Sequence, residues 1–200
     1  EELRGGLHKA FQSKTFIPVF FTSSETNFGI ARLMDFISKY ASSPDDHMET
    51  VAQNIDGEEV TISLDDKEAA AFVFKTINES HIGELSFVKV LSSTLKSGED
   101  IVNANTDEPQ RLGQMFILNG KNRDKVEHLN ASQSGALVKL KNTHAGNTLT
   151  SPKRKVTVPP IEYPNPSIHE ALKPKNKGEE DKISIGLAAL HEEDPSFQYH

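Results

Sequence analysis

The chain has 200 residues and a mass of 22.1 kDa, enough for one large domain or two small ones. Its 22 basic and 29 acidic side chains give a formal net charge of −7 with neutral histidine, and its apolar content of 36% is sufficient to build a core. Cysteine is absent, which excludes disulfides, thiolate zinc sites and a cysteine nucleophile. Because no apolar run approaches the roughly 18 residues of a membrane span, we expect a soluble, cytoplasmic protein with no membrane partner.

The first 43 residues have the pattern of an α/β unit. Residues 1–12 have helical periodicity, and the apolar run 15–21 is typical of a buried parallel strand. A polar loop follows, and residues 30–40 repeat their apolar positions at helical spacing, with Asn27 as the predicted N-cap. Since the chain does not begin with Met and the first helix has no start signal, we expect residues 1–43 to be the end of a larger domain.

Residues 44–66 form an acidic segment. Nine acidic side chains and one basic side chain lie between residues 44 and 68, and several of the carboxylates are adjacent in sequence. Paired carboxylates can bind metals or transfer protons, but no apolar pattern is evident here to hold them in place. The composition therefore predicts a solvated linker.

Short runs of β-branched and aromatic residues, separated by turn signals, occupy residues 67–160. The predicted strands are residues 70–77, 85–91, 100–103, 110–118, 134–140, 148–150 and 155–158. Asn119-Gly120 is a strong signal for a tight turn. Strands at this spacing without intervening helices favour a closed antiparallel β-barrel, which also hides the strand edges. The predicted fold is mainly β, a barrel flanked by truncated α/β pieces at both ends.

Prolines around residue 160 mark a second boundary, because proline cannot donate to a strand ladder. Beyond it the sequence predicts a strand at residues 167–172 and a helix that begins near 177–181. The acidic residues in that first turn oppose the positive end of the helix dipole. A strand and a helix are half of an α/β unit, so we expect residues 161–200 to be the start of a further domain.

The sequence contains no self-contained catalytic site or metal site. Its eight histidines do not have metal-ligand spacing, and the nucleophile elbow, the dinucleotide-binding motif and the phosphate loop are all missing. Basic side chains of the predicted barrel are candidates for phosphate contacts. They are Lys75, Lys89, Lys96, Arg111, Lys121, Arg123, Lys125, Lys139 and Lys141.

The order of these parts resembles bacterial elongation factor G, a family of translational GTPases. The most specific stretches are residues 17–30, 82–90, 95–100 and 182–197, and residues 135–140 with 146–149 are also similar. The resemblance implies that residues 1–43 end the GTP-binding domain, that residues 67–160 are the whole second domain, and that residues 161–200 begin the third domain. The departures from the family pattern described below also allow a divergent paralogue.

The resemblance implies a monomeric factor whose partner is the ribosome. In such a factor the barrel contacts RNA of the small ribosomal subunit, packs against the GTPase domain of the same chain, and couples that domain to movement of tRNA and mRNA. The expected RNA contacts are His81 and Gly83 in one turn, together with Lys89 and Lys96. Two alternatives remain: a factor that protects or recycles ribosomes, and a barrel that is only an intramolecular spacer.

Several positions depart from the family pattern. The last guanine motif of the family, G-S-A-F, corresponds to Thr22-Ser23-Ser24-Glu25, so Ser23, Ser24 and Glu25 are the remnant of a guanine-binding loop and Glu25 adds a carboxylate. In the barrel, Glu84 replaces a lysine, and Lys89 replaces an arginine and loses its bidentate fork. The resemblance places the phosphate loop and the magnesium-binding segments before residue 1, so GTP and magnesium belong to the parent protein and the chain itself has no catalytic residue.

Overall fold

The computed structural model describes residues 2–46, 48–79, 83–174, 176 and 178–199, with residues 2–4 and 45 described by their backbone alone. The chain divides into two compact units, Glu1–His47 and Met48–His200. None of the helices in the described ranges combines the length and apolar character that a membrane crossing requires.

The first unit contains two α-helices, α1 (Glu2–Gln12) and α2 (Ile30–Tyr40), as the helical periodicity predicts, and a short 3-10 helix at Pro44–Asp46. Aromatic packing holds them together. The ring of Phe36 on α2 lies 5.8 Å from that of Phe11 on α1 and 5.0 Å from that of Phe20, both edge-on. Edge-on pairs at this distance are favourable beyond the area they bury.

The predicted parallel strand at residues 15–21 is not formed in the described part of this unit. The segment is extended but unpaired, and Ile17, Val19 and Phe21 are 85%, 75% and 87% exposed. A strand needs a neighbour to accept and donate its backbone hydrogen bonds, and no named strand of the described residues belongs to this unit. The predicted N-cap also differs: the N-cap of α2 is Gly29, at φ 74°, and not Asn27.

The second unit is built from strands β1 to β13 and one helix, α3. Their bounds are β1 (Glu49–Asn54), β2 (Glu59–Ser63), β3 (Ala70–Glu79), β4 (Gly83–Ser92), β5 (Thr94–Lys96), β6 (Asp100–Asn103), β7 (Glu108–Arg111), β8 (Met115–Asn119), β9 (Asn122–Val126), β10 (His128–Asn130), β11 (Ser134–Val138), β12 (Thr148–Thr150), β13 (Val156–Thr157) and α3 (Glu180–Glu193).

All the strand pairs of this unit that the structure describes are antiparallel. Eight strands form one sheet in the order β7-β6-β12-β3-β4-β11-β8-β9, β10 pairs with β5, and β13-β1-β2 form a third sheet. This arrangement confirms the predicted mainly β fold with antiparallel, barrel-type sheets.

One apolar cluster forms the centre of the second unit. Valines and leucines that alternate along β3, β4, β11 and β12 meet there, together with residues of the short strands. Its buried members are Ala71, Val73, Val88, Val90, Leu95, Ile101, Leu112, Met115, Leu129, Leu137, Leu140 and Leu149. The period-2 pattern that predicted these strands is therefore the pattern that fills the core.

The acidic segment is not a solvated linker, and this prediction must be corrected. Residues 49–63 form the hairpin of β1 and β2, and both Ala52 and Ile62 are 0% exposed. They pack on Ala70 and Leu91 of the barrel strands. The acidic side chains lie on the exposed positions of the hairpin. One face of the hairpin is therefore acidic and the other is buried, and the average composition of the segment does not show this difference.

The end of the chain matches its predicted helix but not its predicted strand. α3 spans Glu180–Glu193, with Glu180 and Asp181 in its first turn. Residues 167–172 are not paired with any described strand, and Ile168 and Leu172 are exposed. As in the first unit, an apolar segment that lacks a neighbouring strand does not form a ladder.

Candidate nucleic-acid interface

A β-bulge in β3 sets the direction of the side chains at this site. Val73 is opposite Val88, but Lys75 is opposite Phe87, so Phe74 is an extra residue in β3. Both Phe74 and Lys75 are exposed, whereas residues of a regular strand alternate between two faces. The bulge therefore turns an aromatic ring and an amine to the same side of the sheet.

The strand register then places a cation, two rings and a second cation in one row. Lys75 is opposite Phe87, Phe87 is opposite Ala136, Ala136 is opposite Phe116, and Phe116 is opposite Lys125. Directly opposed residues of antiparallel strands share a face. Since neighbouring strands are about 4.8 Å apart, the row separates the two lysines by roughly 19 Å along a flat sheet.

This side of the sheet is positively charged although the chain as a whole is acidic. The described residues of β3, β4, β11, β8 and β9 that share it include the cations Lys75, Lys89, Arg123 and Lys125, and the anion Glu79. We call these four cations the cationic face. The net charge of −7 therefore conceals a local excess of positive charge on the barrel.

The cationic face surrounds a small apolar cluster. Leu85, Ala136 and Val138 are buried at its base, and half-buried Phe87 and Phe116 pack against them. The ring of Phe74 lies 6.2 Å from that of Phe87 and is 38% exposed.

Arg123 on β9 also makes an ion pair with Glu79 at the end of β3. These strands lie four positions apart in the sheet, so the pair can form only if the sheet curls over this cluster. Of the four cations, Arg123 is therefore already paired with a carboxylate, whereas Lys75 and Lys125 are exposed at the rim.

Lys89 lies on the cationic face as a half-buried side chain. Its amine donates a hydrogen bond to the backbone oxygen of Ser132, which sits at φ 73° in the turn before β11. A carbonyl acceptor leaves the positive charge of the amine uncompensated. Lys89 is therefore held in position by the barrel and still contributes its charge to the face.

The other predicted contact residues do not lie close together. Gly83, at φ 85°, begins β4, and Lys96 ends β5 beyond the corner at Ser93. The ten residues of β4 alone extend over roughly 30 Å, and Lys96 lies past the far end of that strand. His81 lies outside the described residues. The structure thus brings Lys89 together with Lys75 and not with the predicted turn.

Glu84 lies on the opposite side of the sheet from the cationic face, because it alternates with Leu85. Burial raises the pKa of its carboxyl group, the negative charge of Glu192 raises it further, and His144 opposes both effects. The replacement of a family lysine by Glu84 therefore does not remove charge from the cationic face.

The segment predicted to be the remnant of a guanine-binding loop is a tight turn in the first unit. Ser23 bridges to Phe28, with its N–H donating to the Phe28 oxygen at 3.0 Å, and Ser23 Oγ accepts from Thr26 N at 3.4 Å. Ser24 and Glu25 are exposed, and their N–H groups donate to no acceptor among the described residues. The turn therefore exposes two backbone donors beside the carboxylate of Glu25, and that carboxylate disfavours anions nearby.

Comparison with known proteins agrees with this architecture. Residues 68–152 match the family model of elongation factor G domain 2, and residues 163–200 match the model of elongation factor G domain III. The chain belongs to the elongation factor G family. Elongation factor G from Neorickettsia sennetsu (strain ATCC VR-367 / Miyayama) is 35% identical over 99% of the chain. A solved structure from Thermus thermophilus superimposes with a TM-score of 0.74 at 25% identity over 97% of the chain.

The chain spans only part of these relatives: 29% of the Neorickettsia protein and 27% of the Thermus protein. The domain 2 match begins at residue 68, after the β1–β2 hairpin that packs on the same barrel. Among the residues that line the cationic face, sequence patterns identified Lys75 and Lys125 only as scattered basic residues. Lys75 and Lys125 each lie opposite a phenylalanine. This shared feature becomes visible only when the pairing register of the five strands is known.

Proposed function

We propose that this elongation factor G family member docks on the ribosome through its barrel, with the cationic face against RNA of the small subunit. The observation that carries the proposal is the excess of positive charge on one side of a barrel in an acidic chain. Lysine contacts with phosphates release counterions and dominate the affinity of proteins for nucleic acids. A face with four cations and one anion is suited to that role.

The row presents two cations that can contact an RNA backbone. Lys75 and Lys125 stand at its two ends, and both are exposed. The exposed ring of Phe74 beside Lys75 adds a surface on which an unpaired base or ribose can pack. Gly83 and Lys96 are proposed as peripheral contacts, since they lie at opposite ends of β4 and its continuation.

The barrel would also couple the parts of the parent protein. Contacts between the barrel and α3 support this role: Glu193 Oε1 accepts the Asn78 N–H at 2.9 Å, and Glu192 Oε2 is 2.7 Å from His144 Nδ1. Through these contacts a movement of the barrel would reach the segment that matches domain III. In the parent we propose that GTP, held with magnesium by its GTPase domain, drives tRNA and mRNA movement through this connection.

The test is binding of the full-length protein to small ribosomal subunits across a salt series. The double variant Lys75→Ala/Lys125→Ala should lose affinity and reduce the slope of log affinity against log salt by about two, roughly one per lost phosphate contact. The control Lys67→Ala/Lys153→Ala removes the same charge from exposed positions of the same unit and should bind as the unaltered protein does. Equal losses in both double variants would contradict the proposed face.

The same series separates the alternatives. If the barrel is only an intramolecular spacer, replacement of Lys75, Lys125 and Lys96 should leave the affinity of the protein for the small subunit unchanged. A factor that protects or recycles ribosomes would lose binding in the same way, but the unaltered protein would not advance tRNA and mRNA when supplied with GTP. The proposed translocation activity requires both that the protein binds the small subunit and that it advances tRNA and mRNA.

A further inference from the structure

The barrel meets α3 through a group of carboxylates at the end of the helix. Glu193 accepts the Asn78 N–H at the free edge of β3, and Glu192 contacts His144 through its Oε2 atom. Glu84 on β4 interacts electrostatically with both Glu192 and His144. The nearby charges of β3 and β9, Glu79 and Arg123, are already paired with each other.

Two carboxylate oxygens in this group are buried and unsatisfied. Oε1 of Glu84 and Oε1 of Glu192 are both inaccessible to solvent, and neither finds a hydrogen-bond partner in the part of the chain that the structure describes. An ionised carboxylate group accepts hydrogen bonds but has no proton to donate. Burying two such acceptors near each other is strongly unfavourable unless one of them carries a proton.

We propose that Glu84, Glu192 and His144 form a proton-dependent latch that holds α3 on the barrel. A proton on Glu84 is donated to Oε1 of Glu192, which satisfies both buried oxygens with one hydrogen bond. His144 Nδ1 contacts the other oxygen, Oε2, of the same carboxylate at 2.7 Å. When Glu84 ionises, two negative carboxylates face each other and the end of α3 loosens.

The proton on Glu84 sets the direction of the pH dependence. The pKa of Glu84 is raised in the docked state, so docking gains stability below that value and loses it as the pH rises through it. The latch is therefore closed on the acidic side of that pKa and opens on its alkaline side. The contacts of Glu193 with Asn78 and of Arg123 with Glu79 have no part in this change.

The glutamate at position 84 makes the latch depend on a proton. The family pattern has lysine at this position, and a lysine beside Glu192 would form an ion pair that persists through neutral pH. Glu84 reverses the charge and makes the same contact depend on a proton. The inference concerns the movement of α3 against the barrel and goes beyond docking on RNA.

The test measures the distance between the barrel and α3 in the full 200-residue chain. Because the sequence has no cysteine, spin labels can be placed specifically at Lys125→Cys and Ile185→Cys, both exposed. Pulsed electron spin resonance at about pH 4.5, the ordinary pKa of a glutamate, and at pH 8.5 gives the distance distribution. We expect one narrow distance at the lower pH and, at pH 8.5, an increase of about fivefold or more in the population of other distances.

Two substitutions at Glu84 make the result specific. Glu84→Gln supplies a permanent donor to Glu192, and Glu84→Lys supplies a permanent opposite charge, so both should keep the narrow distance at pH 8.5. The control Glu180→Gln removes an exposed carboxylate from the first turn of α3 and should retain the full pH dependence. A distribution in the unaltered chain that is identical at the two pH values, or a Glu84→Gln chain that still broadens at pH 8.5, would overturn the proposal.

Discussion

The β1–β2 hairpin permits a direct test of whether the acidic segment stabilises the barrel. Ile62 on β2 is fully buried and packs with Ala52, Ala70 and Leu91. Ile62→Ala removes three carbon atoms from this cluster. A side chain in a solvated linker would make no such contacts, so the two descriptions of this segment differ in the stability that they predict.

The expected cost follows from the burial. Removing three methylene equivalents costs about 2.4 kcal/mol in transfer free energy at ~0.8 kcal/mol each. The cavity left between two sheets adds to this, and the total falls at about 3–4 kcal/mol, within the usual range for Ile→Ala in a core. Ile62→Val removes one carbon and should cost about 1 kcal/mol. Ile55→Ala, in the turn of the same hairpin, alters a side chain that is 77% exposed and should cost less than about 0.5 kcal/mol.

Urea unfolding followed by far-ultraviolet circular dichroism is the suitable assay. The chain has no tryptophan, and its three tyrosines, at positions 40, 163 and 199, lie outside the barrel. With a denaturant dependence of about 2 kcal/mol per molar urea, Ile62→Ala should lower the unfolding midpoint by about 1.5–2 M. If Ile62→Ala shifted the midpoint no more than Ile55→Ala does, the packing of the hairpin on the barrel would be refuted.

Three further outcomes are expected. Gly135→Ala should destabilise the barrel by about 1–3 kcal/mol in urea unfolding, because its Cβ would lie 2.6 Å from Leu129 Cδ1, whereas Gly113→Ala, with its nearest neighbour at 3.7 Å, should be tolerated. Burial opposes ionisation of Asp66, but its bonds with Arg154 and the Ser63 N–H prevail and lower its pKa. Thermal unfolding across pH should therefore show Asp66→Asn less stable than the unaltered chain at neutral pH, with the difference shrinking in acid and disappearing only below the lowered pKa of Asp66. Glu25→Phe in the full-length protein should tighten GTP binding in equilibrium titrations, because it removes a carboxylate beside the proposed nucleotide.

Alternation and turn chemistry were sufficient to predict the long barrel strands. The predicted runs 70–77 and 85–91 lie within β3 and β4, where Val73, Val88 and Val90 supply the central cluster. The short edge strand β9 was not predicted, because Asn-Arg-Asp-Lys-Val has only one apolar residue. A strand at the edge of a sheet is stabilised by its single neighbour and by its turn, here Gly120 at φ 59°, more than by burial.

Composition gave wrong predictions for segments whose structure depends on strand pairing: an acidic segment forms strands, and two apolar segments do not. The acidic segment contains only a few residues that become buried, yet Ala52 and Ile62 are enough to fix β1 and β2 on the barrel. Residues 15–21 and 167–172 are apolar enough for strands, but the described residues offer them no neighbouring strand. A strand forms only when a second segment pairs with it, so the hydrophobic pattern of one segment is insufficient to predict it.

The cationic face could not be derived from the sequence because it depends on one inserted residue. Val73 and Lys75 are two positions apart, and in a regular strand both side chains would point to the same side, into the barrel core. The bulge at Phe74 reverses the alternation and delivers Lys75 to the outer side, opposite Phe87. Lys125, 50 residues later, joins the same row only through the pairing of β4 with β11 and of β8 with β9. Charge counts along the chain cannot reveal such a face, because the position of each lysine is set by strand register and not by its distance in sequence.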